Sequence, residues 1–196
     1  MLEFLRDGEE PGDRGRWYGK YRAFVRDNRD PEQLGRLRLE IPAVLGTGPD
    51  AWSDWASPCL PYGGNPDCGL YLIPEVGASV WAEFEMGDPQ SPIWSGVWLA
   101  GTNSGEMPAE ASANPITCKV LKTAAGHTIL LEDAVGHQRV LIRDAGGQHL
   151  LLDVAGARVE LASAGEIVIR DGAGSELVMS GGTIRIAASG QVLINS

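Results

Sequence analysis

The chain has 196 residues, enough for one large domain or two small ones, with a formal net charge of -10 at pH 7 and 43% hydrophobic residues. That charge argues against a polyanion as the main partner, because nucleic-acid binding needs clustered Lys and Arg. No stretch approaches the ~18 apolar residues of a membrane span, and residues 1–16 lack the basic and apolar regions of a signal peptide, so the chain is expected to be made in the cytoplasm.

Two halves differ in composition. All six Trp (Trp17, Trp52, Trp55, Trp81, Trp94, Trp98) precede residue 100, so the first half can build an ordinary core. The second half is Gly-punctuated and poor in aromatics, so it cannot do so alone. Residues 1–115 hold nine basic and 18 acidic side chains, and residues 116–196 hold seven and eight. The second half is therefore nearly neutral and can assemble with copies of itself without strong repulsion.

In chain order, residues 1–16 are charged and Gly/Pro-rich and predict a flexible leader. From Trp17 the pattern turns to β. WYGKYRAFVRDN alternates polar and apolar residues, and residues 35–41 put Leu37, Leu39 and Ile41 on one face and Arg36, Arg38 and Glu40 on the other. Further strands are predicted at 52–58, 69–74 (GLYLIP), 79–85 (SVWAEFE) and 92–99 (PIWSGVWL), with no convincing helix. Short strands separated by strong turns over residues 17–99 predict a small closed barrel of the OB type. Residues 100–118 are small, polar and Pro-containing, and predict a linker.

From 119 to 196 the sequence repeats. Short strands are predicted at 128–133, 139–144, 149–153, 158–162, 167–171, 176–179, 183–187 and 191–194, each with two apolar residues one apart. The pairs are Ile129 and Leu131, Val140 and Ile142, Leu150 and Leu152, Val159 and Leu161, Ile167 and Ile169, Leu177 and Met179, Ile184 and Ile186, and Val192 and Ile194. So few apolar side chains per strand would give one chain a thin core with open edges. Three intertwined chains would fill the axis of an all-β prism with these residues as the trimer core, neighbours satisfying each other's backbone groups. A meander of hairpins and a single-chain β-helix are the alternatives.

No catalytic constellation, cofactor motif or metal-ligand spacing is present. His127, His137 and His149 sit at repeat boundaries and read as polar surface residues. Asp133, Asp144 and Asp171 close strands before Gly-containing turns, which suits turn-forming Asp. Cys59, Cys68 and Cys118 read as free thiols, a loop-closing Cys59–Cys68 disulfide being the lesser reading. Basic residues (Arg14, Arg16, Lys20, Arg22, Arg26, Arg29, Arg36, Arg38) interleave with Trp17, Tyr18, Tyr21 and Phe24. On an OB fold they suggest single-strand nucleic-acid binding, but Asp13, Asp27, Asp30, Glu32 and Glu40 dilute the field and favour an acidic protein partner.

In GKYRAFVRDNRDPEQLGRLRLEIPAVLG (19–46), WASPCLPYGG (55–64) and GLYLIPEVGASVWAEFEMGDPQSPIWSGVW (69–98) the chain resembles the phage baseplate assembly protein V family. These are OB-fold spike proteins of contractile tails, contractile injection systems and the C-terminal part of VgrG proteins. The resemblance implies a homotrimer whose barrels sit under a hub protein, with a β-prism directed at the target envelope and touching its membrane only on injection. No lysozyme domain separates barrel from prism, so hydrolysis is not expected. The end lacks the iron-binding His-x-His tip of some short spikes. A PAAR-type tip protein is therefore implied, seated on Val192, Leu193, Ile194, Asn195 and Ser196. The expectation is a non-enzymatic spike without cofactor; the alternative is an OB-fold nucleic-acid-binding module with a trimerising tail.

Overall fold

A computed structural model describes residues 15–101 and 105–192. It divides into two compact units, Met1–Ser104 and Gly105–Ser196. Residues 1–14 of the expected leader (1–16), part of the linker (102–104) and the last four residues (193–196), including Ile194, lie outside the described residues.

The first unit contains β1 (Tyr21–Asp27), β2 (Arg38–Glu40), β3 (Ser57–Pro58), β4 (Ser79–Phe84) and β5 (Pro92–Val97), in sheet order β2-β1-β4-β5-β3. The outer strands meet. Leu37 and Ala56 exchange backbone hydrogen bonds of 3.1 and 2.8 Å, and Ser53 N donates to Leu39 O at 2.7 Å, so the sheet curls closed. Strand alternation fills the interior with Ala23 and Val25 from β1, Leu37, Leu39 and Ile41 around β2, Val80, Ala82 and Phe84 from β4, and Trp94 from β5. Trp94 Nε1 donates to Gly35 O at 3.0 Å, which satisfies the one polar atom of that buried ring.

One expectation for this half is corrected. Residues 69–74 form no strand, because Tyr71 and Ile73 fold over Gly35 instead of pairing with a neighbour. The aromatics divide: Phe84 and Trp94 are buried in the core and Trp17 and Tyr21 pack against it, whereas Phe24, Trp81 and Trp98 stand on the outer wall, Phe24–Trp98 edge-on at 5.6 Å and Trp81–Trp98 tilted at 6.4 Å.

The second unit opens with α1 (Ala109–Ala113), inside the predicted linker, and β6 (Cys118–Lys122), which none of the predicted strands covered. The strands that follow are β7 (Thr128–Glu132), β8 (Arg139–Arg143), β9 (His149–Asp153), β10 (Arg158–Ala162), β11 (Ile167–Arg170), β12 (Glu176–Ser180) and β13 (Thr183–Ala187). They form a five-stranded sheet, β10-β9-β8-β7-β6, and a three-stranded sheet, β11-β12-β13. Gln191 and Val192 carry no strand, contrary to expectation.

Within each sheet every strand pair is an antiparallel hairpin of the chain itself. The hairpin meander therefore satisfies backbone groups that the repeats alone assigned to neighbouring chains. What it leaves for another chain are the sheet edges and one complete sheet face.

Candidate functional site

Residues opposite each other in an antiparallel pair share a face, so the registers sort every side chain. In the five-stranded sheet one ladder runs Leu121–Ile129–Ile142–Leu150–Leu161, and the next runs Leu131–Val140–Leu152–Val159 beyond Lys119. In the three-stranded sheet the ladders are Ile167–Met179–Ile184 and Ile169–Leu177–Ile186. Seven of the eight predicted aliphatic pairs thus line up in register on one face of their sheet. Of the eighth, Val192 lies beyond the last strand and is exposed. Leu193, Ile194, Asn195 and Ser196 are outside the described residues.

Most of these side chains are exposed in the single chain, although they are aliphatic. The opposite face of the five-stranded sheet is the covered one. Leu130, Thr128, Glu132 and Cys118 are buried there, and α1 lies against β6. Glu110 of that helix binds Lys122 Nζ at 2.9 Å and Arg143 Nη2 at 3.3 Å, and these cations, Lys122 foremost, hold its carboxyl below the ordinary glutamate range. An exposed aliphatic face of this extent marks an association surface.

The polar groups singled out in the sequence serve local structure. His127 Nδ1 accepts from Ala145 N at 3.3 Å, His149 contacts Gly147 O at 3.0 Å and Glu160 at 3.3 Å, and His137 is exposed. Asp144 and Asp171 accept backbone N–H bonds inside their turns, as expected of turn-forming Asp, whereas Asp133 pairs with Lys119. Among the described residues no group of three or more His, Cys, Asp or Glu is placed to hold a metal ion. Cys59, Cys68 and Cys118 are all free thiols, and Cys68 Sγ donates to Tyr62 Oη at 3.2 Å.

The basic strip of the barrel is largely neutralised by its own neighbours. Lys20 pairs with Glu83, Arg26 with Glu40, Arg29 with Asp27, and Arg36 with both Asp30 and Glu32. Arg16 and Arg38 bond backbone carbonyls of Met86 and Ser53. Arg22 lies over Trp98, 4.8 Å from the ring centre. Arg14 is outside the described residues. Sequence reading missed the outer aromatic patch; the placement of Phe24 and Trp81 between the core residues Ala23 and Val25 and Val80 and Ala82 is the signal that points them outward.

A closed barrel followed in the chain by sheets with an uncovered aliphatic face defines a self-associating structural subunit. The comparisons name its kind. Residues 21–99 match the type VI secretion system/phage-baseplate injector OB domain, and residues 119–192 match the phage baseplate V C-terminal trimerisation domain. The chain belongs to the phage baseplate V family, and its second unit is that family's trimerisation domain.

Proposed function

We propose that the protein is the homotrimeric central spike of a phage tail baseplate or contractile injection system, a mechanical part without catalytic activity. The observation that carries this reading is the registered aliphatic face of residues 119–192. Three copies meeting on it would bury the ladders as a common core, from Ile129 and Leu131 through Val140, Ile142, Leu150, Leu152, Val159, Leu161, Ile167, Ile169, Leu177 and Met179 to Ile184 and Ile186, with Val192 and Ile194 at the end. The resulting shaft has its backbone bonded across its whole width, which gives the stiffness that perforating an envelope requires.

In this reading the barrel docks to a separate hub protein and plugs the tube. The last residues, Val192 to Ser196, seat a PAAR-type tip protein, and the target membrane is met only when the sheath contracts. Engagement of the barrel's cations by its own carboxylates supports protein partners over nucleic acid. The test is complementation: a strain lacking this chain is supplied with the parent or with Ile142→Asp, and sheathed particles are counted by electron microscopy. Parent-level particles from Ile142→Asp would overturn the proposal; recovery with the parent alone supports it.

A further inference from the structure

The hairpins joining β6 to β7, β8 to β9 and β11 to β12 use one five-residue turn. Its first residue is Thr123, Asp144 or Asp171, whose backbone N–H donates to the carbonyl of the fifth residue, His127, Gln148 or Ser175, at 3.0 Å in each case. The fifth N–H returns to the first side chain, at 3.1 Å to Thr123 Oγ1, 2.9 Å to Asp144 Oδ1 and 2.8 Å to Asp171 Oδ1. The fourth residue is Gly126, Gly147 or Gly174, at φ 98, 92 and 93, a left-handed conformation that a Cβ disfavours.

The segment after β10 begins the same way and fails at the fourth position. It reads Ser163, Ala164, Gly165, Glu166, Ile167, so the glycine comes one residue early and Glu166 stands where the turn needs Gly. Ser163 instead donates its hydroxyl to Gln148 Oε1 at 2.9 Å and accepts from Gly165 N at 3.2 Å. Here β10 and β11 do not pair, although every other consecutive pair of strands from β6 to β13 does. Each becomes a sheet edge with aliphatic side chains left open: Val159 is 71% exposed, and Leu161 and Ile169 are 53% exposed. Such edges invite strand addition.

We propose that this junction is the point of strand exchange between protomers, the β10 edge of one copy pairing antiparallel with β11 of the next. The inference rests on the trimeric reading above and adds where the chains interlock. The occupant is a second copy for two reasons. The family's trimerisation domain spans both sides of the break. The faces also match: Leu161 and Ile169 both belong to the aliphatic face of their sheets, so an antiparallel pairing that sets them opposite each other carries the ladder from one copy to the next without changing face. Three copies, each offering one β10 edge and one β11 edge, close a ring at this level with neither edge left over.

Full-length chains with the native cysteines replaced by Ala are made as two single variants, Leu161→Cys and Ile169→Cys, and their native masses are measured first. The two are then refolded together, oxidised mildly and run on a denaturing gel. Directly opposite residues lie about 4.5–5.5 Å apart between Cα atoms, within disulfide reach. Covalent dimers in the mixture, absent from either variant alone, are expected. Trimers without such dimers, also when Ile167→Cys replaces Ile169→Cys to cover a register slip, overturn the exchange but leave the trimer standing. A parent chain that is monomeric overturns the trimeric reading itself. Hydrogen exchange on the unmodified trimer covers the case of variants that do not fold: outer-edge amides of β10 and β11 are expected to be protected, and exchange at open-edge rates contradicts the proposal.

Discussion

Ile129 stands directly opposite Ile142 across β7 and β8, and the chain covers neither: they are 42% and 47% exposed. One residue away, Leu130 on the other face is buried. The two faces of the sheet therefore report on different things. Leu130→Ala should lower the stability of the second unit by about 2–5 kcal/mol. Ile142→Asp should leave the sheet of the single chain intact and abolish association, since three copies would place unpaired carboxylates in one apolar core. Sedimentation and circular dichroism on both variants check this contrast.

Gly35 couples the barrel to its long loop. It sits at φ 77, and a Cβ there would stand 2.7 Å from Ile73 Cδ1 and 3.1 Å from Tyr71 Cε2. Gly35→Ala therefore meets both backbone strain and a clash, and is expected to cost on the order of 2 kcal/mol. Denaturant unfolding of the full chain measures it, and Gly64→Ala, also at positive φ but with open space around it, separates strain from crowding.

The Asp30 carboxylate accepts from Arg36 Nη2 at 2.7 Å and from the backbone N–H groups of Glu32, Leu34 and Arg36 at 3.0, 2.9 and 3.2 Å. The Arg36 guanidinium foremost, and these N–H groups with it, hold its pKa well below the ordinary aspartate range. A carboxyl depressed by folding contributes stability that is complete above its unfolded value, about 4, and is lost as pH falls towards its folded value. The Tm gap between parent and Asp30→Asn should thus be widest above about pH 5 and narrow on acidification. Calorimetry from neutral pH downward checks this; a gap independent of pH contradicts it.

Cys59 and Cys68 are exposed, whereas Cys118 is buried in β6 and burial raises its thiol pKa. A thiol reagent should therefore modify Cys59 and Cys68 rapidly in the native protein and reach Cys118 only after unfolding. Mass spectrometry of the labelled, digested chain assigns the sites.

The ladders were legible because each repeat carries its own evidence: two aliphatics at period two between turn residues. Leu37, Leu39 and Ile41 were legible for the same reason, and all three are buried. The segment 69–74 misled because Leu70, Tyr71, Leu72 and Ile73 have the composition of a strand, while their position is set by packing over Gly35. Helix α1 was illegible, since Ala109–Ala113 is a five-residue segment too short to show an apolar period, and its docking depends on Glu110 reaching Lys122 and Arg143. Whether repeats pair with themselves or with neighbours was also beyond the pattern, because parity fixes a face but not the chain that supplies the partner strand.

Native mass measurement of the 196-residue chain decides whether the aliphatic faces associate. A species of three times 20.9 kDa that persists on dilution is expected, because the single chain leaves those faces in water. A stable monomer of 20.9 kDa with those faces in water would contradict it.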